Sequence, residues 1–464
     1  MVLLTTKDNQ LLAAGLKQRR DKLWQLTKHP VILWSGSPLG RNFSANKYPF
    51  RASSHFLYFA GLPLPEAVIR IEAGRLELYL DNPPPSETLW HGETPQREEI
   101  AEIIGADAVY PLAELSKKTY QDTATIAVLD RITYQQQCKL LNRLVPLSHE
   151  ATGIDLELAQ AIVKLRSRHD DLAIQELRSA AAVSVKAHQA GMQATLQAKS
   201  EAQIRGTMEG IVIAHNMTCA YNSIVTVHGE VLHNETYQNQ LQPGDLLLAD
   251  VGAETANGWA ADITRTWAVS GKFSSTQKDI YEVVLKAHDD CIAAIKPGIE
   301  YQDIHLLAGT TIAQGLVDLG ILKGKVEDLV AMDAHALFFP HGVGHLLGLD
   351  VHDMEDLGDV AGYEAGRVRS DRFGLGYLRL NRPLQSKMLV TIEPGFYQVP
   401  AILNHPDFRA KFQNVVNWER LAQFSDVKGI RIEDDVLVTE SGSEVLTADL
   451  PTKLEAIEDL VLNK

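Results

Sequence analysis

The chain has 464 residues, 45% of them hydrophobic and 22% charged, which suits a folded core and is long for one ordinary domain. Its 59 acidic and 44 basic residues leave a formal charge of −15, so nothing points to nucleic acid or an anionic membrane as partner. Cys138, Cys219 and Cys291 form no C-x-x-C pair. A disulfide framework is therefore not expected, and a reducing, cytoplasmic setting is. No run approaches the roughly 20 apolar residues of a membrane span, and MVLLTTKDNQ is not expected to act as a cleaved leader.

In chain order, residues 11–26 and 97–105 carry helical patterns, while VILW (31–34), AVIRI (67–71), LELYL (76–80) and TIAVLD (125–130) read as strands. That alternation predicts an α/β domain, with the three prolines of DNPPPSE (81–87) marking a loop. Beyond residue 150 the texture changes. Residues 170–197 read as one long helix, and Ser200 to Gln203 as a capping box opening another through Ile213. The domain boundary is placed near 165–170, giving domains 1–168 and 169–464. Downstream, SIVTV (223–227), DLLLADVG (245–252) and MLVTIEPG (388–395) alternate with helices near 275–296 and 301–318.

Acidic residues inside apolar strands are costly unless paired or metal-bound, and this chain has several. Asp250 ends an apolar run and Asp262 opens the return run, with the turn pair Asn257-Gly258 between them. A hairpin that brings the two carboxylates together is expected, with its register left open. Glu393 closes MLVTIE ahead of Pro394-Gly395, where a turn is expected, and Glu433 lies in GIRIEDDVLV, preceded by Arg431. Any one of them alone reads as a strand end or an ion pair. Four converging carboxylates would repel and raise one another's pKa values, and two divalent ions would balance them.

The stretch HGVGHLLGLDVHD (341–353) adds three histidines. His341 and His345 are four apart, but Gly342 and Gly344 argue against a helix there, and no Glu follows His341 as in H-E-x-x-H. Taken in order, Asp250, Asp262, His345, Glu393 and Glu433 resemble the five-ligand dimetal site of the pita-bread metallopeptidases. HGVGHLLGLDVHD, TIEPG and GIRIEDD resemble the X-Pro branch of that family, prolidase and aminopeptidase P. YPFRASSHFLYFAGLPLPEAV (48–68) and LWHG (89–92) resemble its N-terminal domain. The hairpin aspartates are one residue further apart than is usual in that family.

The resemblance implies an α/β (α+β) chain, with a creatinase-like N-terminal domain followed by a pita-bread catalytic domain. It implies two divalent ions, Mn²⁺ foremost with Co²⁺, Fe²⁺ or Zn²⁺ as alternatives. The oxygen-rich donor set fits hard ions. It further implies that His345 is the nitrogen ligand, that His352 stabilises charge on the attacked carbonyl, and that Glu393 also moves a proton. His233, His341 and Arg431 are implied at the substrate. The expected partners are short peptides with proline second, and the expected assembly is a homodimer or homotetramer.

The segment 355–387 resembles the long prolidase insertion, with Arg379 in YLRLNRPL as a clamp for a dipeptide carboxylate. Stretch 398–428 also looks prolidase-like. These features favour an Xaa-Pro dipeptidase, with aminopeptidase P as the alternative. The rivals from other classes are a phosphotriester hydrolase and a non-catalytic binding module on the same fold.

Overall fold

A computed structural model describes residues 6–118, 120 and 122–463. The chain forms two compact units, Met1–Leu172 with Met354–Ala361, and Ala173–Asp353 with Gly362–Lys464.

The first unit is built on a four-stranded sheet ordered β1 (Val31–Trp34), β2 (Val68–Glu72), β3 (Arg75–Tyr79) and β4 (Ala108–Tyr110). The β1–β2 and β2–β3 pairs are antiparallel, and β3–β4 is parallel. Helix Thr6–Thr27 packs beside it and carries the fully buried Arg20. The Arg20 guanidinium donates to the carbonyls of Phe59, Ile104 and Gly105, and so satisfies the C-terminal carbonyls of two neighbouring helices.

The expected strand at TIAVLD does not form a ladder. Only Ala124 bridges Val31, and side chains take the next backbone groups. Asp155 accepts from Thr125 N–H, while Gln137 accepts from Val128 N–H and donates to the Ile126 carbonyl. Side chains that satisfy a backbone remove its need for a neighbouring strand.

In the second unit the helices Asp171–Ala194, Glu201–Ala214, Ser275–Ala294 and Tyr301–Asp318 surround short sheets. The expected capping box at Ser200 is not made. Gln203 instead accepts from Lys199 N–H at 2.6 Å, and the Ser200 side chain makes no capping bond.

Two antiparallel hairpins carry the acidic residues. In the first, β6 (Ile224–Thr226), β7 (Leu246–Asp250) and β9 (Thr264–Ala268) form one sheet, while β8 (Ala253–Glu254) pairs with β5 (Thr218–Cys219). In the second, β10 (Leu389–Ile392) pairs with β13 (Asp434–Val438), which is flanked by β14 (Ser443–Val445), and β11 (Gly395–Tyr397) pairs with β12 (Gly429–Arg431).

Pro394-Gly395 does not turn the chain. The pairs Ile392↔Asp434 and Gly395↔Arg431 share one register, so the strand runs on through the proline. Pro394 only interrupts the ladder, because it has no N–H to donate.

Candidate metal centre

Strand register sets the site. Asp250 pairs with Thr264, and the same register continues into the loop, where Val251 N–H reaches the Ile263 carbonyl and Ala261 N–H the Ala253 carbonyl. Asp262 therefore faces Gly252, and Asp250 and Asp262 are diagonal neighbours on one face rather than directly opposed. A Cβ on Gly252 would sit on the Ala261 carbonyl oxygen and 3.0 Å from the Tyr221 ring. Only glycine lets the hairpin and that ring close together here. On the second hairpin, the unbroken register places Glu393 opposite Glu433.

The histidine stretch is extended, as its glycines required. Residues 343–347 lie along β10, with bonds from Leu347 N–H to the Leu389 carbonyl, Thr391 N–H to the His345 carbonyl and Glu393 N–H to the Val343 carbonyl. Gly344, at φ +155°, leaves room for the Thr391 carbonyl and the Tyr301 hydroxyl, which a side chain would displace. This edge pairing carries His345 to the carboxylates. Its Nδ1–H donates to the Leu346 carbonyl at 2.9 Å. The lone pair of Nε2 then points 3.4 Å from Asp262 Oδ2 and 3.6 Å from Glu393 Oε1. A ligand histidine whose other nitrogen is fixed by a carbonyl has its orientation set in advance.

Asp262, His345 and Glu433 are buried and offer donor atoms all within 4.8 Å of one another. Burial, then repulsion from Asp250, pushes Asp262 well above the usual carboxylate range. Burial, then Asp262 and Glu393, does the same to Glu433. Glu393 is pushed up to about 7, by burial first. The Tyr221 hydroxyl lies 2.6 Å from both Asp250 Oδ1 and Asp262 Oδ1, yet its single proton serves one of them at a time. Arg431 offsets part of the charge, donating to Asp250 Oδ2 at 2.6 Å, Thr264 Oγ1 at 2.9 Å and the Tyr397 hydroxyl at 3.1 Å. Divalent cations would relieve both the repulsion and the desolvation, so the donor set fits them.

All ten residues singled out from the sequence line one cleft of about 460 Å³: Asp250, Asp262, His345, Glu393, Glu433, His233, His341, His352, Arg379 and Arg431. The His352 ring stands edge-on to His345 with centroids 4.3 Å apart. His341 has both nitrogens engaged, Nδ1–H donating to the Gly342 carbonyl at 2.8 Å and Nε2 accepting from the Tyr397 hydroxyl at 2.9 Å. Burial, then Arg431, holds it down at about 3, so it stays neutral. Burial and Arg431 also lower His233.

Sequence reasoning missed several members. Tyr221, Tyr397 and Thr264 carried no pattern that marked them, although Thr264 donates to Glu433 Oε2 at 2.6 Å. Asp435 was visible in IEDD, and its carboxylate accepts from Asp262 N–H at 3.2 Å. The apolar wall of Leu232, Phe373, Tyr377 and Ile402 comes from loops and single helical turns too short to show a period.

Residues 175–440 match the family model for metallopeptidase family M24, and residues 16–126 that for the aminopeptidase P N-terminal domain. A probable Xaa-Pro aminopeptidase of Fusarium vanettenii is 34% identical over 430 residues, covering 89% of this chain and 88% of its own. One from Paracoccidioides lutzii is 30% identical, covering 91% and 90%. Among solved structures, aminopeptidase P from E. coli with the inhibitor Pro-Leu has a TM-score of 0.78 at 27% identity, covering 97% of this chain and 98% of that one. Pseudomonas aeruginosa aminopeptidase PepP has a TM-score of 0.80 at 28% identity, covering 100% and 99%. The fold and the cleft define a metal-dependent peptidase of mixed α/β, pita-bread architecture. The chain belongs to metallopeptidase family M24.

Proposed function

We propose that the chain is an aminopeptidase P, which releases the N-terminal residue from peptides whose second residue is proline. Near-full-length likeness to proteins named Xaa-Pro aminopeptidase carries this reading. It displaces the dipeptidase preference drawn from segment 355–387, and with it Arg379 loses its assignment as a clamp for a dipeptide carboxylate. The same likeness favours a peptide over a phosphotriester substrate, and an enzyme over a binding module.

In this reading Asp250, Asp262, His345, Glu393 and Glu433 hold two divalent ions, Mn²⁺ first among them. Such ions supply Lewis acidity and a nucleophile at neutral pH. The chain's own side chains do the rest. His352, beside His345 on the cleft wall, donates a hydrogen bond to the scissile carbonyl oxygen as negative charge develops there. Glu393 takes a proton from the attacking water and passes it to the departing proline nitrogen, which has none of its own. His341 stays neutral and braces Tyr397, and Arg431 keeps Asp250 and Thr264 in place. The apolar wall takes the proline ring and adjoining side chains, and His233 and Arg379 orient the peptide backbone. The dimer or tetramer proposed on the same resemblance is checked by light scattering.

The test compares Ala-Pro-Ala with Ala-Pro, using metal-stripped protein with and without Mn²⁺. Mn²⁺-dependent release of alanine chiefly from the tripeptide is expected. Cleavage of the dipeptide alone would return Arg379 to its clamp role and overturn the aminopeptidase reading.

A further inference from the structure

We propose that Arg265 is a positioning residue for the metal centre, fixing the main chain of Glu433 so that its carboxylate keeps its place among the donors. This rests on the proposed ligand role of Glu433.

Arg265 sits on β9 and is fully buried. All five of its N–H donors are used. Nε donates to the Pro451 carbonyl at 3.1 Å, Nη1 to the carbonyls of Thr264 at 3.0 Å and Glu433 at 2.6 Å, and Nη2 to Asp434 Oδ1 at 2.8 Å and the Leu450 carbonyl at 2.9 Å.

The need for it lies in the second hairpin. Glu433 falls in the gap between β12 and β13, next to the ladder break that Pro394 imposes. Its N–H goes instead to the Thr264 carbonyl at 3.0 Å, and its carbonyl goes to Arg265. Residues 264 and 265 of the first hairpin thus hold Glu433 at its N–H, its carbonyl and, through Thr264 Oγ1, its carboxylate. Arg265 also ties in residues 450 and 451, which belong to neither hairpin.

The guanidinium is held in turn. Asp434 accepts from Thr447 Oγ1 at 2.5 Å, and its Oδ2 lies 3.0 Å from His288 Nε2. Arg265 and Asp434 thus form a buried ion pair, with Nη2 2.8 Å from Oδ1. A lysine carries the charge but lacks the planar five-donor fork. It cannot hold Asp434 and four carbonyls together.

The test uses the full chain with Arg265→Lys, Asp434→Asn and Glu433→Gln, each checked for folding by circular dichroism and titrated with Mn²⁺ by calorimetry. Wild type is expected to bind two ions. Arg265→Lys is expected to keep one and bind the other roughly 10–100-fold more weakly, the usual cost of losing support behind a ligand. Its kcat on Ala-Pro-Ala should fall and recover as Mn²⁺ is raised, with KM unchanged, a pattern that simple loss of folded protein would not produce. Should Arg265→Lys not fold, Asp434→Asn, which keeps the shape but removes the guanidinium's ionic partner, should weaken the same ion. Folded Arg265→Lys or Asp434→Asn binding both ions as wild type does would overturn the inference. If Glu433→Gln loses one ion while Arg265→Lys keeps both, Arg265 alone fails. If Glu433→Gln keeps both, the ligand assignment beneath it fails as well.

Discussion

Replacing Glu393 with Gln should change how the stability of metal-free protein depends on pH. The Glu393 carboxyl rises from 4.5 to about 7 in the folded chain, through burial first and then the balance of His345 and Arg431 against Asp262 and Asp250. A carboxyl with a raised folded value binds its proton more tightly folded than unfolded. Its contribution to stability is therefore full below about pH 4.5 and is lost as pH rises to about 7. The rise of about 2.5 units, at about 1.4 kcal/mol each, corresponds to roughly 3 kcal/mol across that window. Asp262 and Glu433 push in the same direction.

Urea melts in a chelator at pH 4, 5, 6, 7 and 8 should therefore show wild type losing stability as pH rises. Glu393→Gln should lose about 3 kcal/mol less over the same interval. Saturating Mn²⁺ should reverse the wild-type trend, because ligands must shed protons to bind metal. Parallel pH profiles for the two proteins in chelator would mean that burial does not raise the Glu393 carboxyl.

Three further outcomes are expected. Glu433→Ala should abolish turnover while the thermal melt of the protein stays cooperative, and substantial residual activity would count against the site. His352→Leu should lower kcat by about 10²–10³, the range for one donor to a developing oxyanion, with little change in KM; steady-state kinetics on Ala-Pro-Ala separates the two. Gly252→Ala should destabilise the chain by several kcal/mol, because its Cβ meets the Ala261 carbonyl across the hairpin. A melting temperature within a degree or two of wild type would show that the hairpin opens more easily than its packing implies.

The acidic residues were legible because a carboxylate in an apolar strand is a local anomaly, and the histidine stretch because its glycines break a helix. Their mutual geometry was not legible. Whether Asp250 faces Asp262 or lies diagonal to it depends on the register around Asn257-Gly258, which tertiary packing against Tyr221 settles. Pro394-Gly395 resembled a turn because proline and glycine usually mark one. Here the pairing on both sides keeps the strand straight. TIAVLD had the composition of a strand, but Asp155 and Gln137, remote in sequence, took its backbone bonds. Arg265 showed no signal at all, since all but one of the carbonyls it gathers come from segments some 170 and 185 residues away.

In the proposed function this cleft becomes a peptidase by binding two divalent ions. The most direct measurement titrates Mn²⁺ into metal-free protein, following bound metal and release of alanine from Ala-Pro-Ala in the same samples. Two ions per chain are expected, with turnover rising as the second is taken up, and Glu433→Ala should lose that second ion and the turnover. Full turnover in chelator, or tight binding of two ions by Glu433→Ala, would contradict the proposed function.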